Sequence, residues 1–207
     1  MSLRSYVLAS LYDRLVRVSE EACVRAWRAE LLADARGRVL EIGAGTGANL
    51  AHYGSGVTEL VLAEPDPHMR RQLCARLAPA RGEVVDAPAE RLPVADGSVD
   101  VVVSTLVLCS VADPARALGE LRRVLVPGGT LVFIEHVAAH DNPARRRWQE
   151  RLEPAWKRVL GNCHLTRDTE AAIARAGFAF ERLERASMQK ASPVVRPTIR
   201  GIARARG

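Results

Sequence analysis

Apolar positions along this chain repeat with two different periods. Leu8, Leu11, Leu15 and Val18 recur at helical spacing, which predicts an amphipathic helical segment over 5–34. Short apolar runs follow. Arg38–Ile42 between Gly37 and Gly43, Glu59–Glu64 and Glu83–Asp86 read as strands. Val99–Ser104 is an almost unbroken β-branched run, as expected of a strand buried on both faces. Helical spacing returns in His68–Ala78, through Met69, Leu73 and Leu77, and again in Leu118, Leu121 and Leu125. The latter helix has Asp113 as its cap and Pro114 in its first position, and Pro127, Gly128 and Gly129 are expected to end it. Thr130–His136 is the next strand, helices are predicted near 142–160 and 167–176, and strands near 178–185 and 194–204 close the chain. Strands alternating with helices imply an α/β fold, a Rossmann-like, doubly wound parallel sheet. The last two strands have no clear helix between them, so an antiparallel hairpin is expected at one edge.

Composition narrows the class. With 207 residues, 48% of them apolar, the chain suits one domain over 1–207, residues 1–35 forming a helical preface. No apolar stretch approaches the ~18 residues that span a bilayer. The start, MSLRSYVLASLYDRL, carries charges throughout and lacks the apolar core of a cleavable signal, so a soluble cytoplasmic protein is expected. The net charge is +6, and Lys157 and Lys190 are the only lysines. The densest basic cluster, ARRRW at 144–148, has one aromatic neighbour and reads as a solvated helix face. A nucleic-acid partner is therefore not expected, while weak docking at an anionic membrane surface remains open. Cys23, Cys74, Cys109 and Cys163 are scattered, which points to reduced thiols and to no metal site.

The candidate chemistry lies in VLEIGAGTGANL, residues 39–50. Gly43, Gly45 and Gly47 follow a strand at alternate positions, and without a Cβ they let a ligand rest on the backbone. Gly43-x-Gly45-x-x-Ala48 also fits a dinucleotide fingerprint, which alone is a weak signal. Glu41 argues for a different ligand, because a carboxylate there repels a pyrophosphate and favours a cationic group. Glu64, at the end of the second strand, can accept both hydroxyls of a ribose. Together these describe a nucleoside with an aminoacyl or sulfonium tail.

VLEIGAGTG, the acid after strand two, LPVADGSVDVVV and LRRVLVPGGTLVFIEH stand in the order and spacing of the class I S-adenosylmethionine-dependent methyltransferases, which the chain resembles over roughly 36–180. The resemblance implies a seven-stranded sheet with an antiparallel last strand and S-adenosylmethionine (SAM) as cofactor. It places Gly43, Ala44, Gly45 and Gly47 under the cofactor, Glu41 at its methionine end, Glu64 on the ribose and Pro65 at the adenine. Ala89, Glu90 and Ser104 complete the expected cofactor set. One departure stands out. Where the family has an Asp near the adenine amino group, this chain has Pro88, with Asp86 two residues earlier. Either Asp86 reaches the adenine by another path, or backbone near Ala89 does the work.

A narrower resemblance, in STLVLCSVADPARALGELRRVL, FIEHVAA, NCHLTRDTEAAIARAGF and PVVRPTIRGIA, is to the methyltransferase-like thiol S-methyltransferases and their bacterial relatives. It implies a small, soft acceptor, most simply a thiol. His136, ending the fifth strand, is then the candidate catalytic residue, accepting a proton or steadying a thiolate; otherwise it supports Glu135 or backbone. His140, Asp141 and His164 are weaker candidates, and Cys109 reads as a pocket wall or a small core filler. Trp148 and Trp156 read either as packing residues or as an acceptor-side lid, while Tyr12, and with it Tyr6, is a candidate lid over the cofactor. Rival readings are phospholipid N-methylation, quinone C-methylation, an NAD-dependent oxidoreductase and a SAM-binding module without turnover.

Overall fold

The computed structural model describes residues 3–77 and 82–206, with side chains described from Leu11 onward outside the gap. Its centre is a seven-stranded sheet of order β3-β2-β1-β4-β5-β7-β6. The strands are β1 (Gly37–Ile42), β2 (Val57–Ala63), β3 (Glu83–Val85), β4 (Val99–Thr105), β5 (Leu125–His136), β6 (Phe178–Ser187) and β7 (Pro197–Ala205). The first five run parallel, and β7 is antiparallel to both β5 and β6. The expected closing hairpin is present, with β7 inserted between β5 and the edge strand β6.

Alternation along the strands builds two cores, one on each face of the sheet. Leu40, Ile42, Val102, Leu131 and Phe133 point to one side, beneath Leu118, Leu121 and Ile173. Val39, Val101, Val103, Val132 and Ile134 point to the other, beneath Leu31, Leu32 and Leu73. Phe133 and Val102 are completely buried, and burying side chains of this size stabilises the fold by ~1.5–3 kcal/mol each. Glu41 shares the parity of Val39, so its carboxylate points to the second side.

The connecting helices are α1 (Leu3–Ser19), α2 (Arg25–Leu32), α3 (Pro67–Arg76), α4 (Pro114–Val124), α5 (Pro143–Val159) and α6 (Thr169–Arg175). Asp113 caps α4 as expected, accepting from the amides of Ala115 and Arg116. Two expectations need correction. Helix α4 ends at Val124, before the Pro-Gly-Gly turn, because Leu125 is extended and already pairs with Val99. The turn instead makes an irregularity inside β5, and Gly128 takes a φ of +76° there. In α1, Leu11, Leu15 and Val18 are 41%, 62% and 50% exposed, so that stripe faces outward rather than into a core. A wide helical turn at Glu20–Val24 separates it from the packed face, which begins with Cys23, Val24 and Arg28. The side chains of Tyr6 and Leu8 lie outside the described residues. No helix among the described residues is long and apolar enough to cross a membrane.

Candidate active site

The turns that follow β1, β2, β4 and β5 gather at the carboxyl edge of the parallel strands, the usual place for a ligand in an open α/β sheet. A cleft of about 860 Å³ opens there. Its wall includes Gly43 and Gly45 after β1, Glu64 and Pro65 after β2, Pro88, Ala89 and Glu90 after β3, and Leu106, Val107 and Ser110 after β4.

The glycine loop fits a closely applied ligand. Gly43 and Gly45 have φ of +53° and +58°, values that L side chains resist. A Cβ on Gly43 would come within 2.7 Å of Val107, so this residue is pressed against the β4 turn. A Cβ on Gly45 would meet nothing nearer than Met69 Sδ at 3.8 Å, so its bare face is open to the cleft. Beside it, the Glu64 carboxylate accepts from the amides of Gly45 at 2.8 Å and Asp66 at 2.7 Å. Those bonds fix its orientation and leave acceptor sites for two ligand hydroxyls. Burial raises the Glu64 carboxyl above its usual range against the pull of those amides. Pro65, Met69, Pro88 and Ala89 give an apolar slot alongside. An open glycine turn, an oriented carboxylate and an apolar slot match the methionine end, ribose and base of a sulfonium nucleoside, so the residues present fit SAM.

Of the other expected cofactor residues, Glu41, Ala44, Gly47 and Ser104 lie behind this wall. Glu41 is fully buried; it accepts from Tyr53 Oη at 2.6 Å and Asn49 Nδ2 at 2.9 Å. Loss of hydration pushes its carboxyl up to about 7, although Tyr53, Arg28 and Asn49 favour the anion. Ala44 and Ser104 are buried and lie outside the cleft wall. So does Gly47, where a Cβ would strike Leu50 and Leu73. Ser104 donates to Glu135 at 2.7 Å. Glu90 faces the cleft while accepting from the amides of Ala112 and Asp113. Asp86 is paired with Arg70 at 2.7 Å and stands outside the wall that Ala89 forms.

Sequence patterning missed the groups that tie the N-terminal helices to this site. Arg28 of α2 binds Glu20 at 2.8 Å, Asn49 Oδ1 at 2.7 Å and Thr105 Oγ1 at 3.0 Å, forming a buried chain that ends at Glu41. Asp13 of α1 accepts from Thr46 at 2.7 Å and Arg76 at 2.5 Å, strapping α1 to the glycine loop. Tyr12, one residue earlier, lies in the cleft wall; burial holds its hydroxyl well above the ordinary tyrosine range. The residue spacing gave one clue to this network: Asn49 and Tyr53 follow the glycine turn on its short helical exit.

On the opposite side, Glu135 organises the turn after β4. It is fully buried and accepts from Ser104 and from the amides of Val107, Leu108 and Cys109. Its neighbour His136 is 4% exposed and places Nε2 2.9 Å from Cys163 Sγ. Cys109, also buried, joins them: the two sulfurs and the imidazole nitrogen lie within 4.8 Å of one another. The neighbouring Cys109 thiol and burial raise the Cys163 thiol well above its usual range. His164 pairs instead with Glu153 at 3.1 Å, and His140 with Asp168 at 3.6 Å. Trp148 is 56% exposed and stacks under Arg151; neither it nor Trp156 is in the cleft wall.

Comparison with known proteins agrees with this geometry. A methyltransferase-domain model matches residues 40–133. Human thiol S-methyltransferase TMT1A is 42% identical over 170 residues, covering 80% of this chain and 69% of the human protein. Human thiol S-methyltransferase TMT1B is 44% identical over 161 residues, covering 74% of this chain and 66% of its own length. The chain thus spans about two thirds of those relatives. Among solved structures, a Thermotoga maritima SAM-dependent methyltransferase, described as a possible histamine N-methyltransferase, superposes with a TM-score of 0.70 over 100% of both chains at 22% identity, a likeness of fold. The glycine cradle, the oriented acid after β2, the sheet order and these relatives lead to one conclusion: the chain belongs to the class I SAM-dependent methyltransferases.

Proposed function

We propose that the chain methylates the sulfur of a small thiol. The observation that carries this reading is the identity, above 40% over most of the chain, to two human proteins named as thiol S-methyltransferases. In this reading one domain spans 1–207, with residues 1–35 as its lid. Gly43, Gly45, Glu64, Pro65, Ala89 and Glu90 touch SAM. Glu41, Ala44, Gly47 and Ser104 shape the site from behind. Bound SAM supplies an electrophilic methyl group.

The chain's own residues then have three tasks. The glycine loop and Glu64 fix the cofactor so that the acceptor approaches in line, and positioning of this kind can remove ~7–11 kcal/mol from a bimolecular barrier. Tyr12, Leu106 and Val107 narrow the cleft and exclude water. His136 favours the thiolate, because an ordinary alkyl thiol near pKa ~8.5 is mostly protonated at neutral pH. The test is an acceptor screen with purified protein, scoring S-adenosylhomocysteine release with small thiols, hydrogen sulfide, phosphatidylethanolamine and quinols. Turnover confined to the last two would remove the thiol assignment.

A membrane-surface acceptor is the second reading. Trp148, Leu152 and Val159 are exposed on α5 among Arg145, Arg146, Arg147, Arg151 and Arg158. Sedimentation with anionic vesicles, weakened by salt, would support it.

A further inference from the structure

The Cys109, His136 and Cys163 group is built rather than incidental. Glu135 fixes the turn that carries Cys109, through the amides of residues 107–109. The segment carrying Cys163 is fastened to that turn on both sides: Asn162 Nδ2 donates to Ser110 O at 2.9 Å, and His164 N donates to Cys109 O at 2.9 Å. Asn162 holds a φ of +69° in doing so. Arg167 clamps the same turn through Leu108 O and Val111 O. Bonds to the backbone of residues 107–111 therefore hold two thiols and one imidazole together, and no disulfide joins the thiols.

We propose that these three side chains form a zinc-type metal site, and that its fourth position takes the acceptor thiol as a thiolate. Two thiolates and an imidazole are a soft donor set that suits this ion, and three protein ligands with one open position mark a catalytic rather than a structural zinc site. Tetrahedral zinc, with Zn–S ~2.3 Å and Zn–N ~2.0–2.1 Å, places two sulfurs ~3.8 Å apart and sulfur and nitrogen ~3.6 Å apart. The observed group, within 4.8 Å throughout, has that scale. The 2.9 Å contact between His136 and Cys163 must open by ~0.7 Å to reach it. The group lies just behind the cleft wall: Cys109, His136 and Cys163 are not part of that wall, but Ser110 and Asn162, the chain neighbours of the two cysteines, are, and Cys163 is only half-buried.

This inference rests on the thiol reading and gives His136 a specific task, that of a ligand. On binding the metal, the acceptor thiol loses its proton to solvent, since a coordinated thiol is deprotonated outright. The thiolate lone pair forms the new S–C bond. The sulfonium C–S bond breaks, and its electron pair stays on the departing cofactor sulfur. The product is a neutral thioether, a poorer zinc ligand than the thiolate, and it leaves.

The test uses the full chain, reduced with a phosphine, stripped with a chelator and titrated with zinc. The expected result is one tightly bound zinc per chain. Cys109→Ser and Cys163→Ser should each lower zinc affinity by at least ~10²-fold, beyond the usual loss of an outer-shell partner, while circular dichroism and S-adenosylhomocysteine binding are retained. Cobalt in place of zinc should give a thiolate charge-transfer band that shifts when a small alkyl thiol is added. No zinc above background, equal binding in both variants, or a cobalt spectrum blind to the thiol would overturn the proposal. Thiol methylation by demonstrably zinc-free protein would also overturn it and leave the thiol reading standing. Zinc bound through the three residues, with no thiol methylated, would support the site and remove the thiol reading.

Discussion

Replacing Glu41 by Gln isolates a buried charge that the fold carries next to its cofactor loop. The carboxyl is pushed up to about 7, first by loss of hydration, against an ordinary value of 4.5. The sign follows from linkage. Because the folded pKa is raised, folding favours the protonated form; the contribution is fully present below pH 4.5 and is lost as pH rises through about 7. Integrating that titration between pH 5 and 8 gives a loss of roughly 2–3 kcal/mol at 1.36 kcal/mol per unit. Glutamine keeps the shape and one acceptor, and the Tyr53 hydroxyl can rotate to accept from the new amide. All other titrations are shared by the two proteins. Urea unfolding of both at pH 5 and pH 8 should therefore show the parent losing roughly 2–3 kcal/mol relative to E41Q over that range. A stability difference independent of pH would mean that Glu41 does not titrate there and that Arg28, acting through Asn49, holds it ionised.

Three further outcomes are expected. Glu64→Ala should weaken SAM binding by ~1–3 kcal/mol, the cost of a lost charged acceptor, as read by calorimetry; unchanged affinity in a folded variant would remove Glu64 from the site. Gly45→Val should abolish SAM binding, because φ is +58° and the new side chain points into open cleft; thermal shift with S-adenosylhomocysteine reads this directly, and a normal shift would mean the loop is not the cradle. His136→Ala should keep SAM affinity and slow alkyl-thiol methylation ~10²–10⁴-fold, the range for losing a group that manages the acceptor's proton, with a smaller loss for acidic aromatic thiols. Parental rates across pH 6–9 would leave His136 only a packing role.

Local chemistry made most of the fold legible. The β-branched run of β4, the capped start of α4 and the glycine turn after β1 each declare themselves over a few residues. The Pro-Gly-Gly turn misled, because Leu125 could pair with Val99 from across the sheet, and no local pattern records that pairing. In the site, the cleft-facing residues Gly43, Gly45, Glu64 and Pro65 were legible because one short motif and one strand end carry them. The chain from Glu20 through Arg28 and Asn49 to Glu41 was not, since it joins the N-terminal helices to β1 and its exit through a side-chain bond that spans 21 residues of sequence, which no local pattern records. The cysteine–histidine group was hidden for the same reason: its members sit on two connections and at the end of β5, and metal-finger spacing describes only ligands that share one or two turns.

The most direct test of the account uses SAM labelled with deuterium in its methyl group, a small alkyl thiol and purified chain, with products read by mass spectrometry. The account predicts a trideuteromethyl thioether formed in equal amount with S-adenosylhomocysteine, and none with Gly45→Val. S-adenosylhomocysteine binding without any labelled thioether, while a lipid amine or quinol gains the label, would contradict it.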